Sequence, residues 1–400
     1  MRIAAPSAAA AGVLAAAVLA AAALIAGCGT TAPAAPGPAA EVTSSGAPFL
    51  ATSVGTPSGS WAVAVMGGSA ATHDNFWQLF VRPAGVSVWK LATPPGTPDN
   101  GGLVVAAGGP SVVTAFRPSQ YLTYTPLTAT SNGGQAWAST GPLDGVLANI
   151  PDALTAAPGA QRLLALLAGG TVELAAAPYA SWKTIATQRS IAATPAGRHC
   201  GLQALTAVSF TLTGLPLVAG TCSHPGRAGV FADTGGTWDA VGPALPGALS
   251  RERVTVLRLI RTESQTVAVL AASPGQAASS GQAASLLGAW SADNGRHWTV
   301  SPVLPLGGAA LASASFGATG TTAVITTTGR ADVITAAGGQ WRALPVPPPG
   351  TATLAVGPGG EIDALAVHRA TLTVWQAPAG GSGWKLAQTI SVPIQYGTSG

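Results

Sequence analysis

Seven tryptophans recur along this chain at intervals that constrain its fold more than any other feature. They are Trp89, Trp137, Trp182, Trp238, Trp298, Trp341 and Trp384, and the intervals between them are 48, 45, 56, 60, 43 and 43 residues. Several are followed by a short alternating stretch that ends in Pro or Gly, as in "WKLATPPG" and "WTVSPVLPLG". Self-similarity at a period of roughly 20–50 residues is typical of repeat architectures, in which each unit is one supersecondary structure.

The residues between the tryptophans predict short β-strands. In the sixth unit β-rich runs cover residues 311–316, 321–328 and 332–336, and in the seventh they cover 351–356, 361–367 and 370–377. Only 8% of the 400 residues are charged, and the helix-favouring Lys and Glu number three and five. With each Trp at the start of a fourth strand, the unit matches a propeller blade in length. We therefore expect an all-β fold, a seven-bladed β-propeller of four-stranded antiparallel blades, over residues 48–400.

Three of the tryptophans end a motif of the form Ser-x-Asp-x-Gly-x-x-Trp. The complete copy is "SADNGRHW" (291–298), while "TSNGGQAW" (130–137) has Thr and Asn, and "FADTGGTW" (231–238) has Phe in place of Ser. The motif resembles the Asp-box, or BNR repeat, of bacterial sialidases and related propellers, and the resemblance implies a turn between the third and fourth strands of a blade. Asp or Asn accepts backbone N–H bonds in such turns, and Gly adopts backbone angles that other residues resist. The residues expected to build these turns are Thr130, Asn132, Gly134, Trp137, Asp233, Gly235, Trp238, Ser291, Asp293, Gly295 and Trp298.

Two chemical interpretations of the motif are less favoured. A calcium loop needs more oxygen ligands than one Ser and one Asp supply. A catalytic Asp needs a partner acid or base, and His297 alone is more typical of an exposed turn residue. The sequence gives no zinc pattern either, because its five His residues are scattered and no Cys/His cluster occurs. We expect no metal and no cofactor.

The first 28 residues have the features of an export signal. Arg2 precedes an uncharged Ala/Val/Leu-rich run over residues 8–26, and Leu24-Ile25-Ala26-Gly27-Cys28 resembles the lipobox of bacterial lipoproteins. The resemblance implies a signal peptide over 1–27 and a diacylglyceryl group on Cys28, which would anchor the chain in the cell membrane on its extracytoplasmic face. An ordinary secretory signal and a membrane-spanning helix are the alternatives. Residues 28–47, rich in Pro and Ala, are expected to be a semi-extended tether.

The two remaining cysteines, Cys200 and Cys222, predict a disulfide, because an even remainder in an exported protein favours pairing. Between them lie two β-rich runs around a polar turn near residues 211–214. The cysteines would then face each other across the open end of one hairpin. Two buried free thiols are the alternative.

Polar residues concentrate on one predicted face. In a propeller the loops after strands two and four share a face, and the Asp-box turns lie on the other. In a chain with so few charges this bias indicates a ligand face for an anionic glycan or a partner protein, although long loops are also polar for solubility alone. The residues assigned to this face or its edge are His73, Asp74, Arg117, Arg189, Arg198, His199, His224, Arg227, Arg251, Glu252, Arg253, His368 and Arg369.

The sequence favours a non-enzymatic binding or scaffolding role. The resemblance to sialidases suggests a glycoside hydrolase as the alternative, but the first-blade Arg-Ile-Pro setting is missing at "APFLATS", and none of Tyr121, Tyr124, Tyr179 and Tyr396 has an evident Glu partner. A further alternative is an assembly factor for an envelope complex, which resembles the role of Asp-box propellers in photosystem biogenesis. No Lys/Arg run supports nucleic-acid binding. We expect a monomer whose partners are the membrane, through the lipid, and an envelope protein or glycan; the excess of Arg over Lys suggests a GC-rich genome such as that of an actinobacterium.

Overall fold

The computed structural model describes residues 52–67, 75–95, 102–116, 127–139, 151–245, 247–273, 285–335, 339–377 and 383–393, all within one compact unit, Thr43–Gly400. The predicted signal peptide, the tether with Cys28, and the residues His73, Asp74 and Arg117 lie outside these ranges. The described chain is all-β, as predicted. None of its helices is long and apolar enough to cross a membrane.

The strands follow one another in groups of four consecutive antiparallel strands. The first group is β1–β4 (Thr52–Thr56, Gly59–Gly67, Asn75–Pro83, Lys90–Leu91), and the second is β5–β8 (Leu103–Gly108, Ser111–Phe116, Leu127–Thr130, Ala138–Ser139). The third is β9–β12 (Ala153–Ala156, Arg162–Leu167, Thr171–Ala176, Lys183–Thr187), and the fourth is β13–β16 (Leu202–Phe210, Pro216–Cys222, Gly229–Asp233, Trp238–Ala240).

The later groups have the same organisation. The fifth is β17–β20 (Arg253–Arg261, Thr266–Ser273, Ser285–Ser291, Thr299–Val300), with the short β21 (Leu304–Pro305) beside β19. The sixth is β22–β25 (Leu311–Phe316, Thr322–Thr326, Ala331–Ile334, Arg342–Ala343), and the seventh is β26–β29 (Thr351–Val356, Ile362–His368, Thr371–Ala377, Lys385–Ser391). Bridges between β1 and β22 and between β14 and β17 merge groups, so the hydrogen-bonded sheets have eight, four, nine, four and four strands.

The second strand of the first group shows why such strands form. Along β2, Ala62, Ala64 and Met66 pack into one hydrophobic cluster, while Trp61 and Val63 pack into another. Alternate side chains on a strand point to opposite faces of the sheet, so a run that is apolar at nearly every position is buried on both faces. The sheet therefore lies between two neighbouring layers.

The hydrophobic clusters connect the groups in order. Each of six clusters joins one group to the next: first with second, second with third, and so on to sixth with seventh. The remaining cluster joins the seventh group to the first through residues such as Trp89, Leu365 and Val374. The series of packed sheets therefore has no free end among the described residues.

The first and seventh groups also share a buried polar network, called here the seam network: Arg82, Trp89, Glu361, Asp363 and Gln388. Arg82 lies 2.8 Å from both Asp363 and Glu361, and the Trp89 Nε1–H donates to Asp363 Oδ2 at 2.8 Å. The Gln388 side chain exchanges two hydrogen bonds with the backbone of Trp89. The side chains of Arg82 and Asp363 are only 3% and 2% exposed, so this ion pair is shielded from water.

Two short helices, α1 (Gln188–Ala192) and α2 (Pro195–Cys200), replace a plain loop between β12 and β13. Thr187 caps α1 by accepting the backbone N–H of Ser190, and Thr194 caps α2 by accepting that of Gly197. Gly201 ends α2 in the left-handed conformation, with φ of 65°. These caps fix the position of the last helical residues, His199 and Cys200.

Candidate functional site

The turn of the complete motif is held by its own side chains. Ser291 Oγ donates to Asp293 Oδ1 at 2.9 Å and accepts the N–H of Gly295 at 2.9 Å. Asp293 Oδ1 also accepts the backbone N–H of His297 at 2.8 Å, and Asp293 Oδ2 contacts His297 Nδ1. Both carboxylate oxygens are therefore engaged within the turn.

The second copy repeats this geometry with different side chains. Thr130 Oγ1 donates to Asn132 Oδ1 at 2.9 Å and accepts the N–H of Gly134 at 3.1 Å, while Asn132 Oδ1 accepts the N–H of Ala136 at 3.0 Å. In the third copy, which has Phe231 at the Ser position, Asp233 Oδ1 accepts the N–H groups of Gly235 and Gly236. All three turns connect the third and fourth strands of their groups.

The pKa of Asp293 agrees with its role as a hydrogen-bond acceptor in the turn. The hydrogen bonds from His297, first the backbone N–H and then the ring, lower the pKa of Asp293 to about 2. Bonds to the charged form stabilise it, so this carboxyl stays ionised and cannot serve as a general acid near neutral pH. The His297 side chain is 89% exposed.

Three of the seven repeated tryptophans donate a hydrogen bond to the preceding strand group. The indole Nε1–H of Trp298 donates to the carbonyl of Val241 at 2.6 Å, that of Trp341 to Pro302 at 3.0 Å, and that of Trp384 to Pro345 at 3.0 Å. Each acceptor lies just after the fourth strand of the previous group. Trp89 and Trp238 are buried, whereas the others are half-buried against the inter-sheet clusters, so the large buried face expected of every Trp is realised only in part.

Three loops of the predicted ligand face form one connected surface, called here the basic loop cluster: residues 188–201, 223–228 and 247–253. A disulfide joins Cys200 to Cys222, as the sequence predicts, next to the open end of the β13–β14 hairpin. The His224 Nδ1 lies 2.9 Å from the His199 carbonyl oxygen, and the Gly226 N–H donates to the Glu252 carbonyl at 2.8 Å. Covalent and hydrogen bonds thus hold all three loops together.

This cluster is strongly positive. Glu252 is its single acidic residue, and His199 and His224 are exposed beside the arginines. Five arginines against one carboxylate give the cluster a charge as large as the formal net charge of the whole chain, +4. Arg253 is half-buried and the other arginines are exposed. The arginines are Arg189, Arg198, Arg227, Arg251 and Arg253.

A cleft of about 340 Å³ opens within the basic loop cluster. Its walls include His199 and Cys200 from α2, Arg227 from the next loop, and Ser250 from the third. The disulfide is buried at its side, with Cys222 fully inaccessible. The cleft therefore presents the Arg227 guanidinium and the His199 imidazole beside the rigid disulfide.

The structure places His368 and Arg369 elsewhere. They form the exposed β27–β28 turn of the seventh group, where the Arg369 carbonyl accepts the N–H of Gly67 at 2.9 Å. This turn follows a second strand, as predicted, but the hydrogen bonds that connect the basic loop cluster do not involve it. The predicted face thus contains at least two separate positive regions.

A second cavity was not predicted from the sequence. It measures about 390 Å³ and is lined by the first strands of six groups, β1, β5, β9, β13, β17 and β22, so it is called here the first-strand cavity. Its walls are mostly apolar, and its charged lining residues are Asp152, Arg258, Arg261 and Glu263. It extends to the turns that follow the first strands, including Pro57, Gly109 and Ala318. These turns lie at the opposite end of the strands from the basic loop cluster.

The charged groups of this cavity are perturbed by burial. Burial raises the pKa of Asp152, lowers that of Arg258 to about 10, and lowers that of Arg261, where nearby Glu263 acts in the opposite direction. Such shifts mark charges held in poorly solvated surroundings. Tyr179, considered above as a nucleophile, is buried and donates its hydroxyl to the carbonyl of Ala160, so it has a structural role.

No family model and no curated protein matches this chain. Solved structures of similar fold include YCF48 from Cyanidioschyzon merolae, with 13% identity over 82% of this chain and 94% of that chain at a TM-score of 0.42. Others are the β-propeller domain of Cps50 (Swd1) from Myceliophteria thermophila (11% identity, 82% and 96% covered, TM-score 0.45) and the GH74 xyloglucanase from Xanthomonas campestris (11%, 84% and 60%, 0.42). These neighbours are β-propellers.

Proposed function

We propose that this chain is a lipid-anchored, extracytoplasmic seven-bladed β-propeller that binds an anionic partner, a glycan or a protein surface, through the basic loop cluster. The observation that carries the proposal is the joining of three cationic loops by a disulfide and hydrogen bonds into one surface. Preorganised loops lose less conformational freedom on binding than mobile ones do. The role is binding rather than catalysis.

The blade assignment is supported by the cyclic order of the hydrophobic clusters. Each strand group packs on the next, and the seam network and its cluster connect the seventh group to the first. A ring of four-stranded sheets explains both this closure and the position of each repeated Trp at the start of a fourth strand or directly before it. The matching hydrogen bonds around Thr130 and Ser291 support the assignment of Asp-box turns.

The binding proposal is tested with three matched charge changes. A triple variant of Arg198→Gln, Arg227→Gln and Arg251→Gln removes three cations from the cluster, and the control variant Arg296→Gln, Arg342→Gln and Lys385→Gln removes three exposed cations elsewhere. Retention on immobilised polygalacturonate, a polycarboxylated glycan, is compared with retention on neutral dextran over a salt gradient. We expect the first variant to lose at least tenfold in affinity and the control to change little. Equal losses would mean that net charge alone, and not this surface, determines binding.

Anchoring is tested separately. Cys28→Ala should abolish incorporation of labelled lipid and release the protein from membranes, since the thiol is the proposed attachment atom. The wild-type chain treated in parallel is the control. Persistent labelling of the variant would rule out Cys28 as the lipidated residue.

A further inference from the structure

The first-strand cavity has the size and lining of a small-molecule site. Ligand pockets are typically a few hundred Å³ in volume and mostly apolar, with a few polar groups that orient the ligand. This cavity measures about 390 Å³, and its apolar lining residues are mainly aliphatic, among them Val105, Val208 and Leu259. An aliphatic ligand would therefore be surrounded by apolar side chains of its own kind.

The lining contains buried hydrogen-bond donors that lack acceptors. Among the described residues, two lining side chains have a buried polar atom without a hydrogen-bond partner, and both atoms are N–H donors: Trp61 Nε1 and Arg261 Nε. Neither carboxylate of the described lining, Asp152 or Glu263, has a buried oxygen without a partner. A buried donor without a partner costs free energy, so the cavity is suited to a ligand that supplies an acceptor.

Arg261 is the lining cation that is available to an anionic ligand. It is the last residue of β17 and forms no ion pair with any described residue, although the charge of exposed Glu263 acts on it. Arg258, the other lining cation, already donates to the Leu257 carbonyl at 3.2 Å. A guanidinium can present its Nε–H and a neighbouring Nη–H to the two oxygens of one carboxylate. The unpartnered Nε–H of Arg261 therefore favours a carboxylate as the ligand's polar group.

An apolar wall lies on the same face of β17 as Arg261. Alternate residues of a strand share a face, and the pairing of β17 with β18 is regular from Arg258 to Arg261, so Leu259 lies on the face of Arg261, about 7 Å along the strand. Leu259 packs in the same hydrophobic cluster as Ala207 of β13, and both residues line the cavity. A carboxylate held by Arg261 therefore has an aliphatic surface within reach of the chain attached to it.

The charged group of this site lies at the turn end of the cavity. The β17–β18 turn contacts the turn after β22, where the Gln265 Nε2–H donates to the Thr319 carbonyl at 2.8 Å, and Ala318 of that turn lines the cavity. Asp152 precedes its first strand, β9, whereas Arg261 ends its own, so these two charges lie at opposite ends of their strands. Arg261 is half-buried, so a carboxylate bound there keeps contact with water while its chain extends along the first strands.

We propose that the first-strand cavity binds an aliphatic monocarboxylate, with its carboxylate on Arg261 and its chain along the first strands. The carboxylate accepts the Nε–H of Arg261 and thereby satisfies the buried donor. The chain packs on Leu259 and Ala207, and no contact with Asp152 or Trp61 is required. An uncharged aliphatic molecule lacks the carboxylate and a very small carboxylate lacks the apolar surface, so binding depends on both parts of the ligand.

Calorimetric titration of the purified full chain tests the ligand class, with protein-free detergent solution as the blank for partitioning of the ligand. The probe is octanoate. Octan-1-ol has the same chain length without the charge, and acetate has the charge without the long chain. We expect octanoate to bind at least tenfold more tightly than either compound, because one loses the charge-assisted hydrogen bonds and the other loses the buried apolar surface. Failure of octanoate to bind, or equal binding of either comparison compound, would overturn the proposal.

Variants then test the location. Arg261→Gln should weaken octanoate binding at least tenfold, while Arg342→Gln, at an exposed position, should leave it unchanged. Ala318→Phe narrows the turn end of the cavity without altering its charges and should also weaken binding, which keeps the test decisive if Arg261→Gln fails to fold. Arg198→Gln in the basic loop cluster should have no effect, so this proposal and the function proposed above can fail independently. Unchanged octanoate binding in Ala318→Phe or in folded Arg261→Gln would place the ligand elsewhere and overturn the proposal.

Discussion

Replacing Asp363 should destabilise this protein far more than replacing Glu361, the other carboxylate of the seam network. In Asp363→Ala, the Arg82 guanidinium, only 3% exposed, loses one of its two carboxylate partners, and the Trp89 Nε1–H loses its acceptor. Removing one partner of a buried ion pair costs about 3–5 kcal/mol, and a stranded buried donor costs about 1–3 kcal/mol. Because Glu361 still contacts Arg82, we expect a total near the lower end, about 4 kcal/mol.

The matched control is Glu361→Ala. Glu361 is 33% exposed and lies at the same 2.8 Å from Arg82, but water screens its charge and Asp363 remains in place. Exposed pairs contribute about 0–1 kcal/mol, so this variant should lose no more than about 1 kcal/mol. The double variant Arg82→Met with Asp363→Leu should recover most of the lost stability, since apolar residues of similar volume remove the uncompensated charge.

Urea denaturation of the three variants measures these differences, and hydrogen exchange of β29 measures whether the seam opens first. A free energy of unfolding for Asp363→Ala within about 1 kcal/mol of wild type would refute the reasoning, because it would mean that Arg82 is not buried as described. An equal loss in Glu361→Ala would refute it as well, since exposure would then make no difference.

Three further predictions concern the turns and the disulfide. The folded-state pKa of Asp293 is lowered to about 2 from 3.8, so its contribution to stability is present above about pH 4 and is lost as the pH falls toward 2. Asp293→Asn, which copies Asn132, should remove this pH dependence from melting curves. An unchanged acid profile in the variant would contradict the assigned hydrogen bonds. Trp298→Ala should lower the free energy of unfolding by about 3 kcal/mol, the low end for a large aromatic residue, because Trp298 is half-buried. Val346→Ala, at an exposed position, is the near-neutral control. Equal melting temperatures of the two variants would be inconsistent with inter-sheet packing of Trp298. The double variant Cys200→Ala, Cys222→Ala lacks the disulfide, which joins residues 22 positions apart, and its free energy of unfolding in urea titration should fall by about 3 kcal/mol. A fall of under about 1 kcal/mol would show that the helix caps and hydrogen bonds alone fix these loops.

Among the candidate features, the turn geometry was the easiest to predict from the sequence. The pattern Ser-x-Asp-x-Gly-x-x-Trp predicts its own hydrogen bonds, because Ser291, Asp293 and Gly295 act within a few residues of one another. The same locality explains why β22 and β26 have the bounds read from the sequence, 311–316 and 351–356. The disulfide was also accessible, since its cysteines flank a single hairpin.

The first-strand cavity could not be predicted from the sequence. Arg258 follows a bulge at which the pairing of β17 with β18 shifts between Val256 and Arg258. A bulge breaks the two-residue alternation that tells which side chains share a face, so the direction of Arg258 could not be inferred. Asp152 and Arg261 belong to different strand groups and meet one cavity only because the first strands of those groups lie side by side.

The features that depend on neighbouring residues could be predicted from the sequence: the β-strands, the repeated Trp units, the turns and the hairpin that carries the disulfide. Local alternation and turn chemistry specify these without reference to the rest of the chain. The packing of the sheets brings distant side chains together, as with the ion pair of Arg82 and Asp363 across the seam, and brings Asp152 and Arg261 to the lining of one cavity. The physical reason is that a charged residue in a strand is compatible with solvent, an ion pair or a cavity, and only the packing of one sheet against another selects among them.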